Sequence, residues 1–531
     1  MFLPTPGSLT RTLALPLFLT SASAPALAQF GAGQTVHVSP NAGLVATVTA
    51  VDLDGDGDLD LASTFENAEG VQWFENDGAG VFGPSLPIDP TLPESRICRF
   101  GDVDGDGDLD AVAGSIPSSG PLQSVVLYEN LGNQVFGPRQ VLDPQLDSVT
   151  QIRLVDLDDD GDLDVAVGYF CVDLIVRIDN LGGGQFAPAA SLVPSGFASF
   201  VNEIEFADID GDGDMDLVAA VDTFTSSFHV SENLGAGVFA PPVEYLISNR
   251  GARDVTPADV DGDGDLDLFV VLDGSSGTYQ WQENVGGDFS TTHFIGTTSG
   301  SWQIEGVDVD RDGDPDAVCV DISRDEILWY ENDGGSFGSE RVIDTLAGEV
   351  WSVVPADLDG DGRTDLATAT GTTFGSGGGE LLWYANDFPR FDAYCDAAVP
   401  HSGGSIGRLF ASGSDVLVAN DVVLEASSLP PFSLSVFLVS RTRGVFPGAR
   451  GSVGTFCIDG PAGRFLAPGQ VSAADAAGNV SLGVDATSLP TSTGTTTAQA
   501  GETWHFQCWF RDAGVPSGAS NLTNGLSVTF E

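Results

Sequence analysis

The chain has 531 residues and carries 77 acidic against 19 basic side chains, a formal net charge of −58. That excess excludes nucleic acid and anionic membrane surfaces as natural partners and makes cations the expected counterpart. With 42% hydrophobic residues, the chain can still bury enough core for one large or two medium globular units.

The N-terminus reads as a secretory signal peptide over residues 1–28. It has a lone Arg11, an apolar run over residues 13–19, and Ala26-Leu27-Ala28 before Gln29. The run is too short to span a bilayer, and no later segment is long and apolar enough. An exported chain is expected, cleaved after Ala28 and either secreted or held at the cell surface.

From residue 52 onward a nonapeptide of the form DxDGDGDxD recurs seven times, starting at Asp52, Asp102, Asp156, Asp208, Asp259, Asp308 and Asp357. These loops hold 35 of the 77 acids, so the negative charge is localised rather than spread for solubility. A period of about 50 residues points to a propeller or another repeat array.

The order within each unit is constant. An alternating segment enters the loop and a β-rich segment leaves it. A third, apolar segment ends in Asn, and after a Gly-rich turn a Phe opens a fourth. This pattern predicts four strands per unit and an all-β fold: a seven-bladed β-propeller over residues 29–390. The seventh unit lacks a convincing fourth strand. Residues 30–40 begin with Phe30-Gly31, matching Phe82-Gly83, Phe136-Gly137 and Phe337-Gly338, and are expected to complete the last blade.

So many like charges at alternate positions need a compensating cation. Side chains at positions 1, 3 and 5 can turn to one centre, Gly at position 6 permits the bend, position 7 offers its carbonyl, and Asp at position 9 closes the cage. The candidate ligands are Asp52, Asp54, Asp56, Asp58 and Asp60 in the first loop, and Asp102, Asp104, Asp106, Asp108 and Asp110 in the second. The third supplies Asp156, Asp158, Asp160, Asp162 and Asp164, and the fourth Asp208, Asp210, Asp212, Asp214 and Asp216. The fifth supplies Asp259, Asp261, Asp263, Asp265 and Asp267, and the sixth Asp308, Asp310, Asp312, Asp314 and Asp316. The seventh supplies Asp357, Asp359, Asp361, Arg363 (through its carbonyl) and Asp365.

All-oxygen ligation of this kind favours Ca²⁺, up to seven structural ions per chain. An EF-hand would need Glu at position 12, where Ser63, Ala113, Val167, Ala219, Val270, Cys319 and Thr368 stand. Asp159 and Arg311 replace Gly at position 4, and Arg363 replaces Asp at position 7. The seventh loop carries the least side-chain charge and is expected to be the weakest site.

The Asp loops, the Phe-Gly strand and the period together resemble FG-GAP repeats, also called VCBS-type repeats, which form integrin α-subunit propellers and many secreted bacterial ones. The resemblance covers residues 30 to about 390. It implies that the calcium loops join the first and second strands of each blade, are structural and lie on the lower face, and that ligands use the upper face. The residue six places before each loop then marks the upper rim. Arg96, Asn202, Arg253, Trp302 and Trp351 are the candidate ligand-binding residues there, suited to a sugar or an acidic ligand; packing between blades is the competing reading. Arg99 and Arg153 with Glu203, Glu205 and Glu305 read as a charge-balanced channel lining.

Residues 391–531 lose the repeat and, with short alternating segments between Pro and Gly turns, predict a smaller C-terminal β-sandwich. The stretches YCDAAVPHSG and GETWHFQCWFRD are similar to an uncharacterised module that closes other secreted bacterial repeat proteins. Cys98, Cys171 and Cys319 lie in the repeats and Cys395, Cys457 and Cys508 beyond them, so connectivity stays open. No nucleophile elbow, zinc-protease motif, P-loop or dinucleotide fingerprint is present. The expected function is a non-enzymatic binding or adhesion module for an extracellular protein or glycan. The alternatives are an extracellular carbohydrate-active enzyme such as a polysaccharide lyase, or a purely structural surface or matrix component.

Overall fold

The computed structural model describes residues 30–530 except 43–44, 67–68, 93, 116–124, 133, 144–148, 170–173, 194–199, 223–225, 249–250, 273–276, 347, 372–377, 387–390, 396–399, 413–416, 419, 421, 449–451 and 513–519. The signal-peptide reading, Cys171 and the junction between the two expected domains lie outside the described residues.

Among the described residues the repeats fold as seven four-stranded antiparallel sheets. Their innermost strands are Val45–Val51, Ser95–Gly101, Val149–Val155, Phe200–Ala207, Ala252–Ala258, Ser301–Val307 and Glu349–Ala356. Each contacts the innermost strands of the sheets before and after it, and the last touches the first, which closes a ring. The seventh sheet takes its outer strand from the other end of the repeat region: Gln34–Ala42 pairs antiparallel with Gly378–Tyr384, and Phe30 bridges Asn386. Non-local pairing of this kind leaves no open sheet edge at the seam.

Side-chain size follows the radial geometry. Second strands such as Asp60–Phe65 and Asp110–Ser115 are buried throughout, because a neighbouring sheet covers each face. Near the axis the sheets are close and small residues fill the gap, among them Ala62, Ala111, Ala113, Ala219 and Ala367. Farther out the gap widens, and third strands supply the buried Trp73, Tyr128, Trp329, Trp383 and Tyr384. The cores therefore form between sheets: Val45, Leu61, Phe65 and Phe74 of the first sheet pack with Ala367, Leu381 and Trp383 of the seventh.

Beyond the repeats, a six-stranded sheet containing Glu502–Arg511 and Ser520–Phe530 and a three-stranded sheet of Arg408–Ser412, Val423–Ser427 and Val480–Gly483 share one core. Leu409, Leu424 and Leu482 of the smaller sheet meet Phe437, Trp504, Phe506 and Phe510 of the larger one. Cys395 and Cys457 are joined by a disulfide, whereas Cys98, Cys319 and Cys508 are free and buried. Among the described residues no helix is long and apolar enough to cross a membrane.

Candidate metal centres and the rim

Each Asp loop lies between the first and second strands of its sheet, and its own backbone wraps around its carboxylates. In the first loop Asp52 accepts the N–H groups of Gly55 (2.8 Å) and Gly57 (3.1 Å), Asp54 accepts that of Asp56 (3.2 Å), and Asp56 that of Asp58 (3.0 Å). Position 6 has φ of 101°, 99°, 93°, 103°, 99°, 100° and 81° in Gly57, Gly107, Gly161, Gly213, Gly264, Gly313 and Gly362, mostly beyond the left-handed helical well and reserved for glycine. Position 4 lies inside that well, at 60° for Asp159 and 64° for Arg311, so a side chain is tolerated there at modest strain. Backbone geometry thus explains why position 4 varies and position 6 does not.

Three carboxylates converge in each of five loops, with candidate ligand oxygens within 4.8 Å of one another. They are Asp52, Asp54 and Asp60; Asp102, Asp104 and Asp110; Asp156, Asp158 and Asp164; Asp208, Asp210 and Asp216; and Asp259, Asp261 and Asp263. Positions 1, 3 and 9 therefore form four of these groups, and positions 1, 3 and 5 the fifth. The position-5 side chains Asp56, Asp106 and Asp212 are exposed. The Oδ1 atoms of Asp158, Asp208, Asp259 and Asp357 are buried without a hydrogen-bond partner among the described residues. Buried, clustered and partly unpartnered carboxylate oxygens are a donor set suited to a hard cation, so the residues present fit one.

Position 9 does more than close the cage. Asp60 is fully buried and accepts two backbone N–H groups, from Leu53 (3.0 Å) and from Asn76 at the end of the third strand (2.8 Å). The same pair of bonds recurs at Asp110, Asp164, Asp216, Asp267, Asp316 and Asp365. Burial pushes the carboxyls of Asp60, Asp110, Asp164, Asp216 and Asp267 up to about 6, that of Asp365 to about 7 and that of Asp316 to about 8, against the lowering effect of those bonds.

The terminal Asn was legible in the sequence as a recurring residue, but its task was not. In six units its Nδ2 donates to the position-8 carbonyl of its own loop and to the position-2 carbonyl of the loop before, while Asn130 makes the first of these bonds, to Leu109 O (3.2 Å). Asn76 reaches Leu358 O (2.7 Å), Asn180 Val103 O (2.6 Å), Asn233 Leu157 O (3.3 Å), Asn284 Ile209 O (3.1 Å), Asn332 Val260 O (2.8 Å) and Asn386 Val309 O (2.9 Å). These side chains connect successive loops, and Asn76 joins the first to the seventh.

The sequence profile of the FG-GAP-like repeat matches residues 52–113, 102–167, 208–270, 259–319 and 308–368, together just over half of the chain. The chain belongs to the FG-GAP-like repeat family. It is similar to rat (Rattus norvegicus) T-cell immunomodulatory protein, with 32% identity over 143 residues, 25% of this chain and 22% of that protein. The chain thus spans less than a quarter of that relative's length. Similar solved structures include an Agrocybe aegerita lectin that recognises non-reducing terminal N-acetylglucosamine (20% identity, TM-score 0.43, 57% of this chain and 81% of the lectin). YCF48 from Cyanidioschyzon merolae is another (11% identity, TM-score 0.44, 67% of this chain and 98% of that one).

Three FG-GAP-like loops have a cation close by: Arg311 stands within the sixth, Arg363 within the seventh, and Arg177 reaches the third from its own sheet. At the third-strand position three residues before the terminal Asn, where other units carry Trp73, Leu127 or Trp329, the third unit has Arg177. Its guanidinium lies 3.5 Å from Asp158 and 4.0 Å from Asp164, pairs with Asp179, and donates to Gly237 O (2.6 Å). In the seventh loop Arg363 pairs with Asp361 (2.6 Å).

On the innermost strands, the pairing with the second strand slips by one residue at the same place in every repeat unit, and the residue passed over is Ala46, Arg96, Thr150, Asn202, Arg253, Trp302 or Trp351. Such a bulge redirects its side chain. The rim residues named from their offset are these bulge residues, and the structure turns several sideways onto the next unit. Asn202 donates to Ala252 O (2.7 Å), the Arg253 guanidinium stacks 4.9 Å from the Trp302 ring centroid, and Trp302 meets Trp351 edge-on at 5.0 Å. Arg96 stands apart, exposed and paired with Glu66 at 2.7 Å. The Trp351 Nε1 is buried with no hydrogen-bond partner among the described residues.

Deeper on these strands, Arg153 binds Glu203 (2.6 Å) and Glu205, and Gln151 also donates to Glu203 (2.5 Å). Arg153 also lies within electrostatic reach of Asp254, and Glu205 of Glu305, although each pair stands on sheets two apart. Asp254, which the sequence reading did not single out, joins this lining and accepts Ile304 N–H (2.7 Å). Burial first, and then neighbouring carboxylates, push Asp254 up to about 8 and Glu305 to about 7.

Proposed function

We propose that this FG-GAP-like protein is an exported, calcium-stabilised and non-enzymatic binding propeller, holding up to seven structural ions. The carrying observation is the repeated convergence of three carboxylates within 4.8 Å of one another. Bare charges at about 4 Å repel by roughly 1 kcal/mol even in water and by more where half-buried. A bound Ca²⁺ would be held by Asp at positions 1, 3, 5 and 9 and the carbonyl at position 7, supplying the positive charge that pins the first and second strands together. With Arg177 beside Asp158 and Asp164, the third loop replaces the seventh, expected from the sequence, as the weakest site, and the seventh follows it. The test is to chelate the mature chain, add Ca²⁺ back and follow thermal unfolding. A large rise in melting temperature supports the reading; an unchanged melting curve overturns it.

The ligand face in this reading is the bulge row. Arg253, Trp302 and Trp351 form one continuous cationic and aromatic surface, and the Trp351 indole N–H has a free donor for an acceptor group. A sugar or acidic group of an extracellular glycan or protein suits it. Trp302→Ala should abolish capture of such a ligand while leaving calcium-dependent stability largely in place; unchanged capture would remove this surface from the account.

A further inference from the structure

The C-terminal module carries a groove that the metal loops and the rim do not explain. Phe410, Glu425 and Ser481 stand in one row across the three-stranded sheet, Phe410 opposite Glu425 and Glu425 opposite Ser481. Their neighbours Leu409, Leu424, Ala426, Val480 and Leu482 face the other way and fill the core. The row faces a cavity of about 500 Å³ whose lining also includes Ser472, Ala473, and Asp475 and Asn479 at the two ends of a turn. That turn is braced from within, since Asp475 Oδ1 accepts the N–H groups of Ala477 (2.8 Å) and Asn479 (2.9 Å), and Asp475 N donates to Asn479 O (2.8 Å).

Glu425 is the residue that asks for an occupant. It is partly buried, burial pushes its carboxyl up, and it has no hydrogen-bond or ionic partner among the described residues. A carboxylate held this way has lost part of its hydration without recovering a bond. Beside it, Phe410 leaves 43% of its surface exposed, the combination of flat apolar ring and polar acceptor that ligand sites use.

We propose that this groove is a binding subsite for a neutral oligosaccharide. Phe410 stacks on the C–H face of one sugar ring, Glu425 accepts a pair of sugar hydroxyls in charge-assisted bonds, and Ser472, Ser481 and Asn479 hold the adjoining hydroxyls. Charge selects the class: the lining has two carboxylates, Glu425 and Asp475, and no Lys or Arg, which disfavours uronate and sulfated chains. The cavity lies within the usual range of small-ligand sites and has room for roughly two or three sugar units. The groove shares no residue with the Asp loops or the rim, so its fate is separable from theirs.

The test uses the full mature chain with calcium present and isothermal titration against cellotriose, chitotriose, xylotriose and mannotriose, with trigalacturonate and a Lys-rich peptide as competitors in class. Saturable binding of at least one neutral trisaccharide is expected, weakened about tenfold or more by Phe410→Ala and severalfold by Glu425→Gln, at unchanged melting temperature. Three results would overturn the proposal: no saturable binding of any neutral trisaccharide up to about 10 mM, binding that both variants retain in full, or preference for trigalacturonate or the peptide over every neutral sugar.

Discussion

Replacing Asn332 by Ala tests whether the terminal Asn of a unit ties neighbouring loops together. Its side chain is fully buried and makes three bonds: Nδ2 to Val260 O (2.8 Å) in the preceding loop, Nδ2 to Pro315 O (3.0 Å) in its own loop, and Oδ1 from Gly335 N–H (2.8 Å). Alanine leaves two carbonyls without their donor in a site that water reaches poorly, while Gly335, whose amide also loses its acceptor, is only half-buried. At about 1–3 kcal/mol for each stranded buried group, the loss comes to roughly 2–6 kcal/mol. Asn332→Asp keeps the shape but turns acceptor against acceptor and should be at least as damaging. Ser336→Ala, on an exposed residue of the same turn, should stay within about 0.5 kcal/mol. The assay is urea unfolding of the calcium-saturated chain, following the transition of the repeat region. A change below about 0.5 kcal/mol for Asn332→Ala would refute the clamp.

Three further outcomes follow from the same geometry. Phe30→Ala should cost about 3–5 kcal/mol in chemical unfolding, because Phe30 is 4% exposed and packs with Trp329, Leu382 and Tyr384 at the seam; a surface-like effect would mean that the N-terminal strand does not close the ring. Arg177→Leu should raise the calcium affinity of the third loop by freeing Asp158 and Asp164, read as an extra ion bound at limiting calcium, whereas an unchanged count would show that the guanidinium does not compete. For pH, burial and nearby carboxylates push Asp254 up to about 8 and Glu305 to about 7, above the ordinary carboxylate range, with Glu203, Glu205 and Arg153 within electrostatic reach. The folded state then binds the extra protons, so this contribution is full below the unfolded values and is lost as pH rises through about 7 to 8. Melting temperature of the calcium-saturated chain should fall across that window, and Glu305→Gln should flatten the fall; an identical slope in the variant would contradict the assignment.

The four-strand units were legible because strand alternation, Gly-rich turns and the Asp loops repeat together at a fixed spacing, and repetition amplifies a signal that a single strand would leave ambiguous. The convergent carboxylate groups could be anticipated for a related reason: alternate positions in a tight loop have few ways to point. What escaped was relational. The bulge at Arg253, Trp302 and Trp351 is a property of pairing between two strands, so the sequence offered the offset of these residues without the cause that turns them toward the next unit. The Asn clamp bridges residues such as Asn332 and Val260 across units, and Asn before a turn has a sufficient local explanation in turn chemistry alone. Arg177 was hidden in a β-rich segment as an odd residue among apolar ones, and its meaning depends on the loop it reaches. Cys395 and Cys457 are 62 residues apart and could not be paired from spacing.

The central claim, that the Asp loops exist to hold cations, is tested most directly by counting ions. The mature chain, stripped of metal and re-equilibrated in about 1 mM Ca²⁺, would be separated from free ion and its bound calcium measured by elemental mass spectrometry. The account predicts about six or seven ions per chain, with the third loop filling last. A count of about two or fewer, in a chain whose stability is indifferent to calcium, would contradict it.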